Sequence, residues 1–225
     1  MRRRTEILNA AELVATADGW DALTVLNVAR RARLSRALLY IYFKDKGDLL
    51  LGIRDRSVEM LARKMAEAAV QEANGISQLQ AVVRASAAFV ENHGIHFEAM
   101  LRGEILSLQR PNRVSGDFLG SKGEPCRRVI AKVIAAGVTD GSMGAEIGDP
   151  KIVAAVLWRF IYGVLQLEVG RRSQGARNPT NLRPLLGKAL DLVRNSVVGA
   201  PAGRGSPARA VTAQGLEPGH TQRAV

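Results

Sequence analysis

A chain of 225 residues is long enough to bury a sizeable core as one or two domains. Its 32 Lys and Arg against 21 Asp and Glu leave a formal charge of +11, so an anionic partner is expected, nucleic acid or an anionic membrane surface. A single cysteine, Cys126, excludes an internal disulfide, and three histidines leave little for acid–base or nucleophilic catalysis.

Residues 2–18 are expected to be helical. Ile7, Ala10, Ala11, Val14 and Ala17 recur in steps of three and four, and Gly19 can end the helix. The opening MRRRTEILNAAE turns acidic before any apolar run, so a secretory signal is not expected. Trp20 and Leu23 pack the connection. The stretch LTVLNVARRARLSRALLYIYFKDK follows, residues 23–46. Thr24 caps a short helix with a stripe of Val25, Val28 and Ala29. Arg33 and Leu34 form a joint. Ser35 caps a second short helix carrying Leu39 and Phe43 on one side. Two short helices on a tight turn are the unit that places its second helix in a DNA major groove. Arg30, Arg31, Arg33, Arg36, Lys44 and Lys46 are opposed over residues 30–46 only by Asp45, which suits phosphate neutralisation. The hydroxyls of Tyr40 and Tyr42 can reach phosphates or base edges. A basic face on an ordinary helical hairpin would share the charge, but not the paired caps, short joint and aromatic cluster.

After Phe43 the run KDKGD breaks the pattern, and a long helix follows with Leu49, Leu50, Ile53, Val58, Leu61, Met65 and Ala69 on its buried side. Further helices are expected at Ile76–Asn92, Ile95–Gln109, Pro125–Gly137, 150–171 and 182–198. Residues 110–124 read as loop with a turn near Phe118, and GVTDGSMGAEIGDP as a connector ending in a cap, Asp149, and a first-turn proline, Pro150. No strand or internal repeat is evident. The window Ile152–Gly170 is the most membrane-like. Arg159 near its middle, with Gln166 and Glu168, favours a buried helix of a soluble protein over a span. From Gly199 the chain is rich in Gly, Pro and Ala without an apolar period, and 199–225 reads as a disordered tail.

Other chemistry is weakly supported. His93 and His96 are spaced to share a metal on a helix, but Gly94 between them suggests a helix end, and no acid or cysteine completes a site. Arg127 and Arg128 could activate Cys126 as a redox sensor; a buried inert thiol is favoured. Gly141, Gly144 and Gly148 match no phosphate loop. No catalytic or metal site and no cofactor is expected, and the chain does not read as an enzyme.

The order of Thr24, Ala29, Ser35, Leu39-Tyr40, Tyr42-Phe43 and Lys46 resembles the DNA-binding signature of the TetR family of bacterial transcriptional regulators, over roughly residues 5–53. The resemblance implies an all-α fold: an N-terminal three-helix DNA-binding domain (1–47, helix-turn-helix about 24–43) and a helical effector-binding and dimerisation domain (48–198). By position, Thr24, Ser35, Tyr40, Tyr42 and Lys46 would touch phosphates, the last from the first turn of the long helix. Arg36, Ala37 and Leu38 would lie at the groove end of the recognition helix, with Arg36 reading guanine O6 and N7. Three residues depart from the family pattern. Leu38 either meets a thymine methyl or turns inward, Ile41 replaces a frequent polar residue and removes a phosphate contact, and Gly47 replaces a frequent acid.

The same resemblance implies a cytoplasmic homodimer on an operator in double-stranded DNA, with two recognition helices about 34 Å apart. The last two helices would form the interface, through Ala155, Arg159, Gly163, Leu186, Leu190 and Val193. A small effector would bind the second domain near Phe97, Met100, Leu101, Leu106, Trp158, Tyr162 and Gln166. Few carboxylates interrupt those stretches, which suggests a neutral, apolar or anionic molecule. The expected function is a repressor released by that effector; a regulator without a ligand, or an activator, is the alternative.

Overall fold

The computed structural model describes residues 2–109 and 123–173, with Pro184, Gly187, Lys188 and Asp191 of the final segment. The turn expected near Phe118, most of the expected last helix, including Leu186, Leu190 and Val193, and the tail 199–225 lie outside the described residues. Eight α-helices follow in order among the described residues: α1 (Arg2–Asp18), α2 (Val25–Ala32), α3 (Arg36–Tyr42), α4 (Lys46–Val70), α5 (Gly75–Asn92), α6 (Gly94–Leu108), α7 (Glu124–Thr139) and α8 (Pro150–Ser173). A 3-10 turn, Ala145–Ile147, lies in the connector before α8. No strand occurs among the described residues.

The buried stripe of α1 runs through Ile7, Leu8, Ala10, Ala11, Val14 and Ala15. Ala17, expected on that stripe, is exposed. The chain turns away at Gly19 in a left-handed conformation (φ 82°). Trp20, Leu23, Val28, Ala29, Leu39 and Phe43 close over the stripe and, with Leu49 and Ile53, form the core of the N-terminal head. A side chain at Gly52 would press on Leu8 and Phe43, so that glycine lets α4 approach both closely.

The long helix α4 is shared. Its Leu49 and Ile53 belong to the head core, while Val58, Leu61, Met65 and Ala69 belong to a second core built with α5, α6, α7 and α8. The boundary expected at residue 47 therefore falls in the first turn of one continuous helix. α6 also joins the two cores: Ala99 packs into the head, Phe97 and Met100 into the body.

α8 is long and apolar enough to cross a membrane over Pro150–Leu167 by length and composition. In the fold, Ala154, Ala155, Leu157, Trp158, Ile161 and Leu165 are buried in the body core. Asp149 accepts a hydrogen bond from the Lys151 amide at 2.8 Å and so caps the helix beside Pro150.

Candidate nucleic-acid interface and effector cavity

Each short helix of the head starts on a side-chain cap. Thr24 Oγ1 accepts from the Asn27 amide and Ser35 Oγ from the Leu38 amide, both at 3.1 Å. Caps of this kind contribute about 1 kcal/mol each. The joint between them closes by two backbone bonds. The Leu34 amide donates to Ala29 O at 2.9 Å and the Arg33 amide to Arg30 O at 3.2 Å. This arrangement needs a left-handed residue, and Arg33 supplies it (φ 56°), the one non-glycine with positive φ among the described residues. The strain, about 1–2 kcal/mol, is carried by an arginine rather than relieved by glycine. The joint thus keeps a cation beside α3.

α3 is held from one side. Leu39 and Phe43 are buried in the head core, whereas Arg36, Ala37, Tyr40 and Ile41 are exposed on the outward face. Arg30, Arg31, Arg33, Arg36, Lys44 and Lys46 are all exposed. None of these six has a side-chain ion-pair partner among the described residues. Lys46 is the first residue of α4, whose cap is Asp45, accepting from the Asp48 amide at 2.8 Å. Free cations around an outward helix can neutralise phosphates on both sides of a groove.

Behind this surface the head meets the body at α6. Glu12 of α1 and Arg56 of α4 pair at 3.0 Å. His96 of α6 lies beside them, its Nδ1 3.2 Å from Ser57 Oγ. Ser57 gives its own hydrogen to Ile53 O at 2.8 Å, so His96 Nδ1 is the donor in that contact. Burial, aided by Arg56 and opposed by Glu12, holds the imidazole below its ordinary 6.5. His93 is also held low, by burial and then by Lys64 and His96. It joins α5 to α6 as the end of one helix and the cap position of the next, as its neighbour Gly94 suggested. Among the described residues no three His, Cys, Asp or Glu side chains cluster to hold a metal.

The body contains a cavity of about 490 Å³ between α4, α6, α8 and the start of α7. Val58, Met100, Pro125, Trp158 and Tyr162 supply apolar surface, and Arg54, Arg127, Arg159, Asp55, Glu59 and Glu104 supply charge. Arg54 donates to Asp55 from Nε at 2.9 Å and to Ser107 Oγ from Nη1 at 2.8 Å, tying α4 to α6 at the cavity edge. Burial and the Glu104 carboxylate, which accepts the phenol's hydrogen bond, push the Tyr162 hydroxyl far above its ordinary value. Trp158 and Tyr162 stack at 5.4 Å between ring centres. Gly123, left-handed at φ 79°, abuts the Trp158 indole nitrogen, where a Cβ would collide.

Residues 7–53 match the family model described as bacterial regulatory proteins, tetR family. A curated relative, the HTH-type transcriptional regulator HbdR of Aromatoleum sp. (strain CIB), is 42% identical over 48 residues. Those residues are 21% of this chain and 21% of that protein, so the match spans about a fifth of the relative's length. Residues 7–53 are thus similar to the DNA-binding segment of the tetR family. The fold likeness extends much further. A Rhodococcus sp. RHA1 protein of unknown function superposes with a TM-score of 0.65 at 19% identity, covering 87% of this chain and 95% of its own. The fatty acid degradation regulator FadR of Bacillus halodurans does so at 0.61 and 15% identity, covering 91% and 98%. At such identities the likeness establishes the shared fold.

The eight residues expected at DNA all lie on the head. Thr24 and Leu38 are half-buried; Ser35, Arg36, Ala37, Tyr40, Tyr42 and Lys46 are exposed. Of the expected pocket residues, Met100, Trp158, Tyr162 and Gln166 line the cavity. Phe97 is fully buried against Tyr162, at 5.5 Å between rings, and Leu101 packs on the body core. Leu106 is half-buried outside the cavity lining. Of the expected interface residues, Ala155 is buried within this chain, and Arg159 and Gly163 line the cavity. The uncovered side of α8 carries Ile152, Val156, Phe160 and Leu167 instead.

The sequence reading missed the contribution of α4 to the cavity (Arg54, Asp55, Val58, Glu59), together with Glu104 and Arg127. A mixed run of charge and apolar residues inside a long helix, RDRSVE, was the available signal. Cys126 is buried, its Sγ 3.7 Å from Val58 O, and burial with Glu59 pushes the thiol well up despite Arg127, so the redox-sensor reading fails.

Proposed function

We propose that the chain is a sequence-specific DNA-binding regulator of transcription, a cytoplasmic homodimer acting as a repressor released by a small effector. The observation that carries the DNA-binding reading is the outward face of α3, ringed by six exposed cations without ion-pair partners among the described residues. Thr24, Ser35, Tyr40, Tyr42 and Lys46 would position the head on phosphates while Arg36 reads guanine. The uncovered apolar side of α8 supports pairing with a second copy, which would set two heads on one side of a duplex.

The cavity has the size of a small-molecule site. A wholly apolar occupant would strip water from Arg and carboxylate groups that line it, at several kcal/mol, so the effector needs polar or charged groups of its own. It acts as a release signal only if it favours the DNA-free arrangement by its differential affinity. Selecting bound fragments from a random-sequence pool tests the reading directly. Lys46→Ala should weaken binding to every duplex and reduce the salt-dependence slope by about one unit. An unchanged slope would remove Lys46 from the phosphate contacts, and a pool that never enriches would remove the regulator reading.

A further inference from the structure

The exposed face of α3 mixes two chemistries. Arg36 and Tyr40 carry hydrogen-bond donors. Ala37 and Ile41, four residues apart on the same side, carry none. Ile41 is 76% exposed, the most exposed large apolar side chain of the head. Leu38, whose place on the groove end left two options open, is half-buried and so is partly withdrawn from the outward face.

Isoleucine can neither donate to phosphate nor bond a base edge. Within a major groove, the apolar group that a duplex presents is the thymine C5-methyl. α3 has seven residues and so spans about 10 Å, less than the roughly 12 Å width of that groove. Both of its ends therefore fit between the phosphate walls. Resting on the reading of the head as a DNA-binding unit, we propose that Ile41 is a specificity-determining residue that covers a thymine methyl. It stands five positions after Arg36, about 7.5 Å along the helix. That distance is roughly two base steps, so the half-site pairs a guanine with a thymine about two steps away. Ala37 leaves space between them for an intervening base pair of either kind.

The test uses the full chain and the operator that it enriches from a random duplex pool. Each thymine is replaced in turn by deoxyuridine, which lacks only the methyl. Wild-type protein should lose about fourfold in affinity at one thymine per half-site and little at the others. Ile41→Ala should lose a similar factor on the thymine operator and become indifferent to the replacement, while Ile41→Val should stay sensitive. Equal loss by Ile41→Ala on thymine and deoxyuridine operators would overturn the proposal, as would an operator at which no replacement matters. Enrichment of no operator at all would overturn the DNA-binding reading as well, a result distinct from an enriched operator without a sensitive thymine.

Discussion

Head and body leave different surfaces for others to complete. In the head, α1, α2, α3 and the first turns of α4 close around Leu23, Leu39, Phe43 and Leu49, and the cations around α3 remain outside. In the body, the side of α8 away from the core leaves Ile152, Val156, Phe160 and Leu167 uncovered, within about 80° of one another around the helix. The head is apolar inside and cationic outside, ready for a polyanion. The body lines a cavity with charged groups and leaves apolar surface exposed on α8. The contrast shows that a residue's type does not decide its role without knowing which side of its helix faces the core.

The largest expected effect breaks the head alone. Leu39→Ala removes a fully buried side chain that pins α3 and should cost about 2–5 kcal/mol of stability, read as a lowered melting midpoint with loss of DNA binding. Retained binding at full affinity would mean that α3 does not need its anchor. Next, Phe160→Glu puts a charge on the uncovered side of α8. The folded monomer should keep its helicity while dimerisation weakens by about 2 kcal/mol or more, visible by sedimentation. A variant that sediments as wild type would place the dimer contact elsewhere.

Arg36→Ala should cost about 1–3 kcal/mol on the selected operator and far less on random duplexes. Equal losses on both would make Arg36 a phosphate contact only. The smallest effect lies at the junction of the two regions. The folded imidazole of His96 is held below 6.5, so the unfolded chain binds more protons near that pH, and stability should rise with pH there. The contribution is complete above about 6.5 and is lost as pH falls toward the lower folded value. His96→Gln should flatten thermal midpoints measured between pH 7.5 and 5.5; an unflattened profile would assign the slope to other groups, His93 first.

Much of the head was legible because its signals are local. Thr24 and Ser35 each bond an amide three residues on, and the turn between them involves six consecutive residues, so position along the chain already specifies the partner. Even there, the left-handed Arg33 went unread, because nothing in the residue type announces that conformation. The apolar spacing of α4 through α8 announced helices, and Met100, Trp158, Tyr162 and Gln166 line the cavity between them. Phe97 and Ala155 are buried, which their residue types did not specify, because an aromatic or a small residue on a helix fits a cavity, a core or an interface equally well.

The chain by itself determined the helix order, the two caps, the basic helix-turn-helix segment and its resemblance to a family over residues 7–53, since each depends on neighbours within a few residues. Tertiary structure decided that α4 and α6 belong to both regions. It also decided that the cavity is lined by three arginines and three carboxylates, and that Ile41 stands out where Leu38 folds back. Those outcomes follow from how helices distant in sequence rotate against one another to cover their apolar sides, and helical period alone does not specify that rotation.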